Sequence, residues 1–292
     1  MEEEDIENIR GCINHTAFLN GVNSAYELYK LDTDWKNKVQ EDKKLVAKQL
    51  RGVSMAIENV QEEIKEVQKS GVGVALLGTG LKLEVISKKQ IKNGSLVSGD
   101  STVYQKLKNG KILLGISDGM GSGETAAKSS QKLLELLEKY LNAGLEKNVA
   151  IDLMNSYMMV GENKEKYATL DALLFNEDNG ETDIIKFGAC PTYLLIDGVV
   201  KTISSKSLPV GAIINVEGEI FREKLERGTI VVMVSDGVLE ANSQKEKWIK
   251  NLLESIQTED AQKIAEMVIQ EALDANLGIA KDDMTVTVMK VC

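Results

Sequence analysis

Two segments of this chain, ILLGISDG at 112–119 and TIVVMVSDG at 229–237, are apolar runs that finish on Ser-Asp-Gly. Each reads as a buried strand, and buried strands require covering layers of helix or a second sheet. Each strand pins a carboxylate, Asp118 or Asp236, at its end. The glycine that follows lets the backbone turn and approach a ligand closely. Two more acidic positions stand at strand ends: Asp100 in SGDS, and Asp282 or Asp283 in KDDMTV.

Around these segments, short apolar runs broken by glycine, asparagine and aspartate predict strands at about 102–107, 111–117, 170–176, 183–188, 192–197, 199–204, 229–235 and 284–290. Helical periodicity covers about 124–143, 147–160, 244–256 and 259–275. The helices come in pairs between groups of strands. That arrangement favours an α+β fold of antiparallel sheets covered by helices over a doubly wound parallel sheet.

The first 70 residues have a different texture. Apolar residues at 39, 46, 50, 53, 57, 60, 64 and 67 form a heptad-like seam, broken only at Lys43, and predict a long helix over about 34–68. Thr33 or Asp34 could cap its start and Gly71 its end. The positions flanking the seam, among them Gln49, Ala56, Gln61 and Gln68, lack the opposed charges that fix a free coiled-coil partner. Packing on its own domain and pairing with a second chain both stay open. A shorter amphipathic helix precedes it, ending near Tyr29. The boundary is drawn at Gly71, giving a helical regulatory or dimerisation segment at 1–70 and a globular domain at 71–292.

Composition removes several classes of function. A net charge of −10 and a pI near 4.9 argue against a nucleic-acid binder and suit cations or basic partners. The 43% hydrophobic content supports a sizeable core. Three dispersed cysteines, Cys12, Cys190 and Cys292, give neither a disulfide framework nor a zinc cluster and point to a reducing, cytoplasmic setting. No apolar run is long enough to span a membrane, and the opening MEEEDIENI has the wrong charge for a signal peptide.

Clustered carboxylates with no histidine or cysteine among them make an oxygen-only site suited to Mg²⁺ or Mn²⁺. Empty, they would repel one another; two divalent cations would neutralise them and could activate a shared water at phosphorus. A lone Asp-Gly is ordinary turn chemistry, but four acidic strand ends are harder to read that way. The glycines of Gly119-Met-Gly121-Ser-Gly123 match neither the dinucleotide spacing nor a P-loop. Other phosphatase chemistries also fail. Cys190 has Ile196 where a phosphate-loop arginine belongs, and His15, the only histidine, lies in the N-terminal helical region.

GDS, SDGMGSG, TLDALLF, GACPTYLL, LPVGAI, SDGVLE and DDMTV stand in the order of the protein phosphatase 2C-type (PPM, metal-dependent) family, and residues 95–292 resemble it. The likeness is strongest to sporulation-control members whose phosphatase domain follows a helical regulatory segment. The resemblance implies an αββα sandwich with a dinuclear Mn²⁺ or Mg²⁺ site at one edge. Asp118 would bridge both metals, the Gly119 carbonyl would bind one, Asp236 and Asp282 would complete the inner shell, and Asp100 would act directly or through water. It further implies a metal-dependent serine/threonine phosphatase acting on a phosphoserine protein, an anti-anti-sigma factor, a homodimer through the N-terminal helices, and attachment to membrane segments elsewhere in a longer protein. One departure is the lack of an arginine near Asp100 to hold the phosphate, the nearest upstream being Arg51. The competing expectation is a catalytically idle binding or dimerisation module of the same fold. Helix docking that switches metal competence is a further expectation.

Overall fold

The computed structural model describes residues 80–292 apart from 122, 160–166 and 214–215, together with ten positions between 19 and 36. The chain divides into two units, Met1–Met55 and Ala56–Cys292. In the first, the ten described positions are helical. Thr33 is one of them, and its hydroxyl donates to the Tyr29 carbonyl at 2.9 Å, one turn back. Thr33 itself is helical. The heptad seam, Asp34 and the Gly71 boundary lie outside the described residues.

The second unit holds ten strands and five helices among its described residues. The strands are β1 (Leu83–Gln90), β2 (Asp100–Lys106), β3 (Lys111–Asp118), β4 (Leu170–Asn176), β5 (Glu181–Phe187), β6 (Thr192–Ile196), β7 (Val199–Ile203), β8 (Glu219–Lys224), β9 (Ile230–Val234) and β10 (Met284–Val291). The helices are α1 (Gly123–Asn142), α2 (Lys147–Met159), α3 (Asp236–Leu239), α4 (Glu246–Ser255) and α5 (Ala261–Ala275). Two five-stranded sheets result, in the orders β2-β3-β4-β5-β8 and β1-β10-β9-β6-β7. Every pairing is antiparallel.

Three apolar layers hold this αββα sandwich together. Leu133, Leu137, Tyr140 and Met154 of α1 and α2 cover the outer face of the first sheet. Ile249, Ile264 and Val268 of α4 and α5 cover the second. Between the sheets lie Ile112, Leu114, Ile116, Phe175, Leu194 and Met233. Helix α5 starts on a side-chain cap, Asp260 accepting from the backbone N–H groups of Gln262 and Lys263. Among the described residues no helix is long and apolar enough to cross a membrane.

The eight expected strands and four expected helices are present. Three elements went unanticipated: the one-turn helix α3 and the strands β1 and β8. Both strands are sheet edges.

Candidate functional site

The alternation that builds the middle layer runs on into the site. Along β3 the inward residues are Ile112, Leu114 and Ile116, and the next in step is Asp118. On β4 Leu173 and Phe175 are preceded in step by Asp171, and on β5 Ile184 is followed by Lys186. On β6 Leu194 is preceded by Thr192, and on β10 Met289 and Val291 are preceded by Thr287 and Thr285. Residues two apart on a strand share a face. The layer between the sheets therefore changes from apolar at one end of the strands to polar at the other, and that polar end is the acidic edge.

Asp118 closes β3 opposite Asp100, the first residue of β2. Thr169 holds the Asp118 backbone from the other side: the Asp118 N–H donates to Thr169 Oγ1 at 2.9 Å, and the Thr169 N–H donates to the Asp118 carbonyl at 2.8 Å. Asp236 opens α3 just after β9, with Ser235 at the N-cap position. Ser235 is knitted to β10, its N–H donating to the Thr285 carbonyl at 2.9 Å and its Oγ accepting from the Thr285 N–H at 2.8 Å. Both motif glycines are required by close approach. A Cβ on Gly119 would stand 1.9 Å from the Ala126 carbonyl oxygen, and one on Gly237 would stand 2.2 Å from that of Asp283.

The two aspartates of KDDMTV have different surroundings. Asp283 is buried and both its oxygens are taken, Oδ1 by the Lys92 N–H at 2.9 Å and Oδ2 by the Gly99 N–H at 2.8 Å. It clasps the connector between β1 and β2. Asp282 is far more exposed, and its two contacts, with the Asp283 N–H at 3.0 Å and Lys92 Nζ at 3.4 Å, both fall on Oδ1.

The electrostatics show how strongly these groups crowd one another. Burial pushes the Asp118 carboxyl up to about 8, and the charges of Asp236, Asp100 and Asp282 add to the rise. Burial likewise lifts Asp100 to about 6. The hydroxyls of Thr285 and Ser235 pull Asp100 the other way without completing a hydrogen bond, so both its oxygens are buried and without a partner. Asp236 is raised by burial and by Asp282. All three shifts have the sign of anionic groups denied water and crowded by like charge.

An oxygen-only donor set, with one buried carboxylate lacking any partner, fits a hard divalent cation such as Mg²⁺ or Mn²⁺. Among the described residues no three carboxylates converge tightly enough to cage an ion as they stand. Outside Asp236 and Asp282 lies a cavity of about 660 Å³, lined also by Glu240, Asn242, Asn276 and Lys281. The expected residues Asp100, Asp118, Asp236 and Asp282 are thus brought within reach of one another's charge, with Gly119 beside Asp118.

Sequence reasoning missed Thr169 and two lysines that precede SGDS. Lys89 Nζ donates to the Asp100 carbonyl at 3.0 Å, and Lys92 meets Asp282. Burial lowers the Lys89 ammonium, and the charges of Asp100 and Asp283 partly restore it. The basic run Lys88-Lys89 followed by Lys92, directly before an acidic motif, was the available signal.

The four-layer sandwich with an acidic edge between its sheets is the protein phosphatase 2C-type fold. The family model described as stage II sporulation protein E matches residues 108–292, and that of the SpoIIE regulatory domain matches residues 3–97. The chain belongs to the stage II sporulation protein E family. It is 35% identical over 203 residues to stage II sporulation protein E of Priestia megaterium, a match covering 68% of this chain and 35% of that protein. The chain therefore spans about a third of that relative's length. It is 22% identical over 253 residues to phosphoserine phosphatase RsbU of Bacillus subtilis (strain 168), covering 82% of this chain and 72% of RsbU. The solved PP2C phosphatase domain of SpoIIE from Bacillus subtilis, with a fragment of its regulatory domain, superposes with a TM-score of 0.66 at 29% identity over 73% of this chain and 63% of that one.

Proposed function

We propose that the domain is a metal-dependent protein-serine phosphatase that hydrolyses a phosphoserine monoester by direct attack of water. The observation that carries this reading is the set of carboxylates at facing strand ends, with the Asp100 oxygens buried and unpartnered. Asp118, Asp236 and Asp282, with the Gly119 carbonyl, would hold the metals, and Asp100 would join directly or through water. That Asp283 already accepts the Lys92 and Gly99 N–H groups, one on each oxygen, supports Asp282 over Asp283 for that role. When bound, a pair of Mn²⁺ or Mg²⁺ ions supplies a water of lowered pKa and screens the phosphate charge.

The chain's own residues do the rest. Thr169 and Ser235 fix the backbones that aim Asp118 and Asp236. Among the described residues Cys190 is the cysteine near the site, and burial pushes its thiol up, away from the reactive thiolate. This supports a reaction without a covalent enzyme intermediate. The open polar cavity beside Asp236 and Asp282 suits the polypeptide flanking a phosphoserine. The phosphoserine phosphatase RsbU supports a phosphoserine substrate, and the family resemblance an anti-anti-sigma factor as that polypeptide. The first 70 residues serve as a regulatory segment in this reading, with dimerisation through their helices.

Asp118→Asn tests the reading. The variant should purify folded and lose Mn²⁺-dependent hydrolysis of p-nitrophenyl phosphate by about 100-fold or more, as loss of a group acting in the transition state does. A folded variant that works at the parent rate would overturn it.

A further inference from the structure

We infer that the buried group Lys186, Asp171 and Thr192 is a positioning device for the metal centre, fixing the spacing of the two sheets at the end where Asp118 and Asp236 face each other. This rests on the metal-dependent reading above.

Lys186 is fully buried, and its ammonium stands 2.8 Å from Asp171 Oδ1 and 2.8 Å from Thr192 Oγ1. The Thr192 hydroxyl in turn donates to Asp171 Oδ2 at 2.7 Å. Asp171 and Lys186 are paired across β4 and β5 within the first sheet, whereas Thr192 opens β6 in the second. The hydroxyl is therefore a directional link between sheets. Its anchor points lie close to the site. Asp171 pairs with Ile116, two residues before Asp118, and Thr192 pairs with Met233, three residues before Asp236. Cys190, two residues before Thr192, feels the charges of Asp236 and Asp118 together with those of Lys186 and Asp171, which puts the tie and the carboxylates within reach of one residue.

Stability does not explain the arrangement. Burying an ammonium and a carboxylate costs several kcal/mol per ion, and apolar replacements of similar volume are often neutral or better. The neighbouring inward positions Ile116, Leu173, Ile184 and Leu194 are filled that way. What apolar contacts do not supply is direction, because hydrophobic burial is non-directional. A bound cation needs ligands from both sheets held to about 0.5 Å. A buried ion pair in one sheet that hydrogen-bonds to Thr192 of the other meets that need at the strand ends that require it.

The test measures Mn²⁺ affinity by calorimetry and thermal stability in chelator, on the full chain. The apolar triple variant Asp171→Leu, Lys186→Met, Thr192→Val should keep or raise the melting temperature while weakening Mn²⁺ binding roughly tenfold or more, the usual range when a residue supporting a metal ligand is lost. Thr192→Val alone should weaken binding in the same direction, and Thr192→Ser, which retains the hydroxyl, should restore it. Parental affinity in the triple variant, or equal losses in the Val and Ser variants, would overturn the inference and leave the phosphatase reading standing. If the triple variant does not fold, the Val and Ser pair decides. A parent chain that binds no Mn²⁺ would sink both proposals together.

Discussion

At Asp118 the cost of assembling the site is visible as a proton. Burial and the neighbouring carboxylates push its carboxyl up to about 8 from an ordinary 3.8, and burial pushes that of Asp100 up to about 6. Between those limits the folded state holds more protons than the unfolded chain, so stability falls as pH rises through the window; below about 4 both states are protonated and the penalty is absent. Replacing Asp118 by asparagine removes that liability. In chelator, Asp118→Asn should melt higher than the parent at pH 8, and the gap should close as the pH is lowered to 4. A gap independent of pH would mean that Asp118 is not crowded by burial and charge. Gly237 makes a second point at this scale. A Cβ there would stand 2.2 Å from the Asp283 carbonyl oxygen, so Gly237→Ala should cost about 1–3 kcal/mol of stability from overpacking, read by denaturant unfolding.

At the level of elements, what the sequence shows depends on where a strand sits. The strands ending in Ser-Asp-Gly are central, and their unbroken apolar runs announce them. β1 and β8 are edges, where charged and apolar residues mix as LEVISKKQ and EIFREK because an open edge must resist pairing with other chains. Such mixtures resemble loops. The carboxylates were legible for the same reason as the strands that carry them. The roles of Asp282 and Asp283 were not, since identical side chains one residue apart differ only in which N–H groups reach them. Asp283 holds the β1–β2 connector through two backbone N–H groups. Asp283→Ala should therefore lose about 1–3 kcal/mol for the buried Gly99 donor left unpaired, and less for the part-buried Lys92 donor. Asp282→Ala, at an exposed position, should stay within about 0.5 kcal/mol of the parent and yet abolish Mn²⁺ binding. Thermal unfolding and calorimetry on the two variants separate these effects, and a reversed pattern would exchange the two residues' roles.

For the whole molecule the question is where the sandwich domain begins. The match to the SpoIIE regulatory domain runs to residue 97, and the match to stage II sporulation protein E starts at 108. The fold places the limit earlier. β1 pairs along its whole length with β10, from Leu83 opposite Val291 to Gln90 opposite Met284. The connector after it delivers the Lys92 and Gly99 N–H groups to Asp283. A chain cut at 98 would lose β1, turn the buried β10 into an open edge and strip Asp283 of its Lys92 donor. A chain cut at 80 would keep every strand of both sheets. Residues 80–292 should therefore purify as a monodisperse protein that unfolds in one cooperative transition and gains thermal stability with Mn²⁺. Residues 98–292 should aggregate or bind Mn²⁺ much more weakly. If the shorter chain were soluble, cooperative and equal in Mn²⁺ affinity, β1 would belong with the regulatory segment, and the strand at the acidic edge would be a separable attachment.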